Sequence, residues 1–398
     1  MTQRSRIKIG MVTHGQFPPD ARIEKEMSSL INAGYHVYIY ANERMTRHKV
    51  GKYDGAKVRY FNFSFSPVFL LFTLPIILKK MFRTDGINII HMQDTPLVIP
   101  TSIATFFLKI PMIYDIHELW HMMVSNDEGI SPAIKNTLKI WCKASEFIGT
   151  TIAKVILVTS NEIAFYIANT YFVQPYRIHV IKNLSPRLNK NDILKVNLSK
   201  DIFKICYVGN MDSGSDLLLD EVIKSATYLT KRMNYRFYLV GDGVLKPMLE
   251  KLAKQLRIDN YIEFTGYLPR KKAYGYIYAS NVCLLPFKKN PNSDYASPHK
   301  LFEYMSFGKP VVSTPLMSTM RMVGEAIYLW EPPTAKRLSE ILYELYRNGN
   351  LRKKLGKMGQ KLVKERYNWE IEEKRFLKIY LRLAKKYIQA DNVNKIFL

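Results

Sequence analysis

Asp294-Tyr-Ala-Ser-Pro-His-Lys-Leu-Phe-Glu-Tyr-Met-Ser-Phe-Gly-Lys-Pro-Val-Val-Ser313 is the stretch from which the rest of the chain is read. Ser297 suits an N-cap and Pro298 the first helical position, while Gly308 and Pro310 close the helix before Val311-Val312 opens a strand. A short helix beginning at Ser297 is therefore predicted. Its amide N–H groups and positive dipole end make an anion site, and Glu303 shares a face with His299 and Lys300 by the three- and four-residue spacing. An anion at a helix start with a carboxylate beside it suits a nucleoside diphosphate, whose phosphates take the amides while the ribose hydroxyls donate to the carboxylate. The same spacing also fits an ordinary capped helix carrying a solvated Lys–Glu pair.

Around this stretch the chain alternates short apolar runs with helical periodicity. Strands are expected at Phe203–Val208, Tyr235–Val240, Ile262–Phe264, Val282–Pro286, Pro310–Ser313 and Ile327–Trp330. An earlier series begins with strand Arg6–Val12, the loop to Asp20, and a helix that Gly34 ends before strand Tyr35–Tyr40. It continues through Val58–Phe61, Ile87–His91, Met112–Tyr114, Val155–Val158 and His179–Ile181. Two doubly wound α/β domains facing a cleft are the economical solution. The boundaries read as residues 1–185, a linker 186–200 with little to bury, 201–370, and a terminal helix 371–398 that packs back across the first domain. Only Gly15 stands in the first strand–helix loop, so a dinucleotide cofactor is disfavoured.

At 398 residues with 47% hydrophobic and 23% charged side chains, the chain is globular and too long for one core. Cys142, Cys206 and Cys283 have neither metal-type nor disulfide-framework spacing, which points to a reducing cytoplasm. No run reaches the roughly 20 apolar residues of a membrane span. The formal charge of +25 has three candidate causes: an anionic membrane surface, a Lys- and Asn-rich bias, or nucleic acid, ranked in that order because no nucleic-acid module is present. The segment Phe65–Arg83 is apolar and aromatic, then basic at Lys79, Lys80 and Arg83, with Pro75 expected to break it. It suits either a bilayer interface or a core helix, with the core helix slightly favoured.

Several stretches together resemble the family 4 nucleotide-sugar glycosyltransferases, also called glycosyl transferases group 1, whose architecture is GT-B. They are Pro18–Arg22, Tyr114-Asp-Ile-His-Glu-Leu-Trp120, Tyr238-Leu-Val-Gly-Asp-Gly243, Phe264–Pro269, Ser297–Ser313 and Tyr367-Asn-Trp369. The resemblance implies that Glu303 binds the donor ribose, that the Ser297, Pro298, His299 and Lys300 region takes the phosphates, and that Lys300 stabilises the departing diphosphate. It implies that Gly15 and Arg22 approach the donor, and that Gly241 and Gly243 let the backbone turn toward the nucleotide. His117, at the carboxyl end of its strand, matches a histidine near the reacting sugar, able to donate to a hydroxyl or shuttle a proton from an ordinary pKa near neutrality. His14 reads as a surface residue.

Two positions depart from the pattern. Tyr295 stands where many members carry a sugar-binding glutamate, with Asp294 beside it as a substitute. Gly209-Asn-Met-Asp-Ser-Gly-Ser215 lacks the usual Arg–Lys pair, for which Lys300, Arg22 or Arg270-Lys-Lys272 are candidate replacements. The expected activity is transfer of a sugar from a nucleoside diphosphate-sugar to a saccharide or lipid-linked acceptor in envelope glycan synthesis, with retention. No metal or cofactor is implied; the partners are the donor, the acceptor and an anionic membrane surface at the inner face of the cell membrane, not nucleic acid. The alternatives are a nucleotide-sugar epimerase or phosphorylase, and a catalytically silent binding protein.

Overall fold

The computed structural model describes residues 7–396 except 19, 47–48, 64–65, 67, 127–130, 213–216, 231 and 296–297. The chain divides into two compact units, one of Met1–Ser125, Pro132–Lys182 and Glu372–Leu398, the other built on Asn183–Ile371.

The first unit runs β1 (Lys8–Val12), α1 (Ala21–Asn32), β2 (His36–Asn42), β3 (Lys52–Tyr53), β4 (Ala56–Phe61), α2 (Leu74–Asp85) and β5 (Ile89–Gln93). It continues through α3 (Val98–Leu108), β6 (Met112–Ile116), α4 (Trp120–Asn126), α5 (Pro132–Ile152), β7 (Val155–Val158), α6 (Asn161–Thr170) and β8 (Ile178–Val180). The strand order is β3-β4-β2-β1-β5-β6-β7-β8, parallel except where β3 meets β4. The central strands β5 and β6 are buried along their whole length because helices cover both faces, and the polar residues they carry, His91, Gln93 and Asp115, are buried with them. Asp20 starts α1 by accepting the Arg22 and Ile23 N–H groups, both at 2.9 Å, which fixes Arg22 in the first turn.

Pro75 does not break its helix. Phe69–Thr73 form a π-helical turn that runs directly into α2, and the Leu74 N–H donates to the Phe69 carbonyl. A proline inside a regular α-helix clashes with the carbonyl four residues earlier; widening that turn by one residue relieves the clash and keeps the helix continuous.

The second unit runs β9 (Phe203–Val208), α7 (Leu219–Thr227), β10 (Tyr235–Val240), α8 (Lys246–Gln255), β11 (Ile262–Gly266), α9 (Arg270–Ala279) and β12 (Val282–Leu285). It continues through α10 (Pro291–Tyr295), α11 (His299–Ser306), β13 (Val311–Ser313), α12 (Met317–Val323), β14 (Tyr328–Leu329), α13 (Ala335–Arg347) and α14 (Gly349–Glu365). Its sheet is parallel in the order β11-β10-β9-β12-β13-β14. In both units the order reverses next to the first strand, between β1 and β5 and between β9 and β12. In open α/β sheets the crevice outside the carboxyl ends of the strands at such a reversal is where ligands bind.

Residues 186–200, expected as a linker, pack on the second unit instead. Ile193, Val196 and Leu198 lie against its core, and the Leu194 N–H donates to the Lys271 carbonyl at 2.9 Å. A Cβ on Gly275 would meet the Leu194 carbonyl oxygen at 2.1 Å, so this segment lies directly on α9. Its apolar residues follow no helical or strand period, and burial here comes from contact, not from pattern. The last helix, α15 (Trp369–Ile396), contributes its residues from Glu372 onward to the first unit. There Phe376 and Tyr380 are fully buried, and the Tyr380 hydroxyl lies 2.6 Å from His91 Nδ1.

Candidate functional site

In the second unit the site is built around the end of β9. The buried hydroxyl of Tyr304 accepts the Val208 N–H at 2.9 Å and donates to the Val208 carbonyl at 3.3 Å, which ties α11 to the last peptide of the strand. Lys300, one turn earlier in the same helix, extends its ammonium over the following residue: a Cβ on Gly209 would lie 2.1 Å from Lys300 Nζ. That ammonium donates to the Tyr207 hydroxyl at 3.2 Å and sits 5.0 Å from the Tyr207 ring centroid and 5.5 Å from that of Phe287. The loop after β9 has no Arg or Lys in its own sequence, yet a cation from α11 stands over its first residue.

The glycines after β9 and β10 interlock. Gly209 donates to Val240 and Met211 donates to Asp242, both at 2.9 Å. Gly241 has φ +143°, and a Cβ on it would lie 2.0 Å from the Gly209 carbonyl oxygen; one on Gly243 would lie 2.5 Å from the Met211 carbonyl carbon. Gly-Asp-Gly is thus required by the approach of its own neighbouring loop.

Glu303 is half-buried and accepts the Tyr274 hydroxyl at 3.0 Å. Burial and then the Glu303 charge push the Tyr274 phenol up, so it remains the donor of this bond. Helix α11 starts at His299, not at Ser297 as expected. Pro298, with ψ 112°, is extended and occupies the cap position, and Ser297 lies outside the described residues. His299 and Lys300 are half-buried in the first turn. Tyr295 ends α10, while Asp294 is buried and accepts the Met317 N–H at 3.0 Å. That carboxylate holds the start of α12.

In the first unit His117 lies between two carboxylates. Its Nδ1 is 3.0 Å from Asp94 and its Nε2 is 3.3 Å from Asp115. Burial alone would lower its pKa, but Asp94 and Asp115 outweigh that and raise it to about 10. His117 is therefore an imidazolium at neutral pH, contrary to the expectation of an ordinary, near-neutral shuttle. Asp115 is itself fully buried and receives the Arg22 guanidinium at 2.7 and 2.8 Å, with His91 at 3.2 Å. Although burial opposes its charge, Arg22 and then His117 hold it well below the usual carboxylate range. Arg22 is also 3.0 Å from Glu26 and only 4% exposed, so two of its nitrogens, Nε and Nη2, are held inside the unit. From the helix start where it was expected to approach the donor, it faces Asp115 and Glu26; Nη1 is buried without a hydrogen-bond partner.

His14 is not a surface residue: its side chain is 18% exposed, packs edge-on against Trp120 at 4.7 Å, and lies 4.0 Å from Asp94. Desolvation, ahead of the opposing pull of Asp94, lowers its pKa. Gly15 donates to Thr13 Oγ1 at 3.1 Å, and a Cβ there would meet nothing closer than 3.5 Å. Asp94 escapes sequence reading because it forms no motif with His117, and Trp120, although inside the Tyr114–Trp120 stretch, carries no local sign that it packs on His14. Glu26, His91 and Asp115 bring one potential ligand atom each within 4.8 Å of one another. The Arg22 guanidinium already bridges both carboxylates, so the charge a metal ion would supply is present.

Two Rossmann-like units, each with polar side chains gathered at the strand reversal, define the GT-B class of fold. The chain belongs to the glycosyltransferases of group 1: residues 25–184 match the family described as Glycosyltransferase Family 4, and residues 202–348 match Glycosyl transferases group 1. It is similar to an uncharacterized glycosyltransferase of Methanocaldococcus jannaschii, 28% identical over 189 residues and 46% of each chain. It is also similar to a putative teichuronic acid biosynthesis glycosyltransferase of Bacillus subtilis, 37% identical over 73 residues and 18% of each chain. The matches thus span less than half the length of these curated relatives. The crystal structure of Anabaena HepE in complex with UDP and glucose superposes with a TM-score of 0.72 at 15% identity, covering 94% of this chain and all of that one, which establishes the shared fold. Among the described residues no helix is long and apolar enough to cross a membrane.

Proposed function

We propose that this chain transfers a sugar from a nucleoside diphosphate-sugar to a saccharide or lipid-linked acceptor in envelope glycan synthesis, with retention of configuration. The observation that carries the reading is the meeting of Lys300, the first turn of α11 and Glu303 beside the β9–β12 reversal. In this reading the helix start and Lys300 hold the diphosphate and offset the charge that grows as the sugar departs. Glu303, which accepts the Tyr274 hydroxyl, also accepts the ribose hydroxyls. Gly15, Pro298, His299, Tyr295 and Ser297 belong to the donor surroundings, and Gly241 and Gly243 shape the loop beside it.

His117 acts as a fixed cation donating to a sugar hydroxyl, because a proton shuttle requires a group that changes charge near neutral pH. The reading assigns no metal or cofactor. It sets the protein in the cytoplasm, peripheral at an anionic membrane surface, where a lipid-linked acceptor would be met, and assigns no nucleic-acid role. Tyr295, in the position of a sugar-binding carboxylate, supports one second reading: a binding protein without turnover.

Calorimetry against a panel of nucleoside diphosphates tests both. Wild type is expected to bind at least one of them, and Glu303→Ala to weaken that binding by about tenfold or more, the loss of hydrogen bonds to a charged group. No binding by wild type to any member refutes the donor site; binding unchanged in Glu303→Ala removes Glu303 from it. Binding without release of free nucleoside diphosphate from any sugar nucleotide, across an acceptor panel, favours the silent reading.

A further inference from the structure

In the first unit, helices α2, α3 and α5 form one layer, with α3 in contact with both neighbours. Its outward surface is apolar where a solvent face should be polar. Phe72 and Ile76 of the α2 segment are 66% and 68% exposed, Phe106 and Phe107 at the end of α3 are 72% and 64% exposed, and Ile140 and Phe147 of α5 are 70% and 56% exposed. All six exposed phenylalanines among the described residues lie in the first unit, and four of them are on this layer. Scattered exposed apolar residues are normal, but a concentration of aromatics on one helical layer is not. The π-turn before Pro75 extends the layer, since it continues α2 backward to carry Phe72 on the same helical path as Ile76.

The charge on the layer has one sign. Lys79, Lys80 and Arg83 lie on α2 and Lys135, Lys139 and Lys143 on α5, and the Lys79 ammonium sits 5.0 Å from the Phe107 ring centroid, joining α2 to α3. The carboxylates of these three helices are Asp85 and Glu146, and both are buried. Asp85 accepts from Tyr40 and Arg59, and Glu146 from Tyr171 while pairing with His121. The outward face therefore presents aromatics and cations with no exposed carboxylate.

We propose that this α2–α3–α5 face is a docking surface for an anionic lipid bilayer, its aromatic and aliphatic side chains entering the interface and its cations meeting the headgroups. The inference rests on the membrane-peripheral reading above and names the surface that carries it. A second copy of the chain would oppose like charges across the contact. Single-stranded nucleic acid would stack on the rings but gain nothing from Ile76 and Ile140. A bilayer interface accommodates both chemistries.

The test is flotation of the full chain with vesicles of phosphatidylcholine alone or with added phosphatidylglycerol, with UDP calorimetry run in parallel. Wild type is expected to float with the anionic vesicles and far less with the neutral ones. Lys79→Ala/Lys80→Ala/Arg83→Ala should lose about fivefold per cation, roughly a hundredfold in all, and Phe72→Ser/Phe107→Ser about tenfold or more. Equal partition of wild type into both vesicles, or variants that float like wild type, overturns the inference. So does a concentration-dependent dimer of wild type that the variants abolish. Hydrogen exchange on wild type is independent of variant folding: vesicles should protect residues 69–85 and 98–108, and unchanged exchange there counts against the face. A wild type that binds UDP but does not float refutes only the docking surface. One that floats without binding any nucleoside diphosphate refutes only the donor site.

Discussion

The charge on His117 is open to direct measurement. A folded-state pKa of about 10 against an ordinary value of about 6.5 corresponds to on the order of 5 kcal/mol favouring the folded imidazolium. The sign follows from the direction. Because the folded value is raised, this stabilisation is fully present below about pH 6.5 and is lost as pH rises through about 10, at roughly 1.4 kcal/mol per pH unit between them. In His117→Gln the ring charge is gone, so this component of the pH dependence should be absent. The difference between wild-type and variant unfolding free energies should therefore shrink by about 3 kcal/mol from pH 7 to pH 9. Urea denaturation at a series of pH values, followed by probes in the first unit, gives that difference. A carbon-detected NMR titration of the His117 ring gives the pKa itself. If the ring titrates near 6.5, the two carboxylates do not hold its proton, the fixed-cation role fails, and a proton shuttle regains support.

Two further substitutions test the scaffolds of the two units. Arg22→Met leaves Asp115 and Glu26 buried without their shared cation and should cost about 3–5 kcal/mol, read as a lower midpoint in thermal or denaturant unfolding; a change below 1 kcal/mol would mean the ion pairs carry little of the unit's stability. Gly241→Ala drives a methyl against the Gly209 carbonyl and should cost about 1–3 kcal/mol while weakening nucleotide binding, because it pushes the loop beneath Lys300. Unchanged stability and binding would show that the loop yields at no cost.

The alternation of strands and helices is legible because a parallel strand buried on both faces leaves an unmistakable short apolar run, as in Ile113-Tyr114 or Leu284-Leu285. The Ser297–Ser313 stretch is legible because its punctuation is local: Pro298 near the start, Gly308 and Pro310 at the end. What is not legible is pairing across the chain. Arg22 meets Asp115 from 93 positions away, and nothing in either neighbourhood announces the other. Read locally, Arg22 looks like a helix-start cation free to approach the donor and His117 like an ordinary imidazole; the pairing reverses both impressions. The packing of residues 186–200 is hidden for a related reason, since Ile193, Val196 and Leu198 bury themselves without a period. Pro75 misleads because the rule that proline ends a helix omits the wider turn that accommodates it.

The hydroxyl of Tyr304 has a mechanical meaning beyond its two hydrogen bonds. It pins α11 to the last peptide of β9, so any force a bound anion exerts on the first turn of the helix is transmitted to the sheet through one short strut. Under the proposed donor site, binding at Lys300 and Glu303 would therefore favour the ordered end of β9 by mass action. That strut adds to the pairing of Val208 with Val240 and to the Gly209–Val240 hydrogen bond, so the corner is held both within the sheet and from α11.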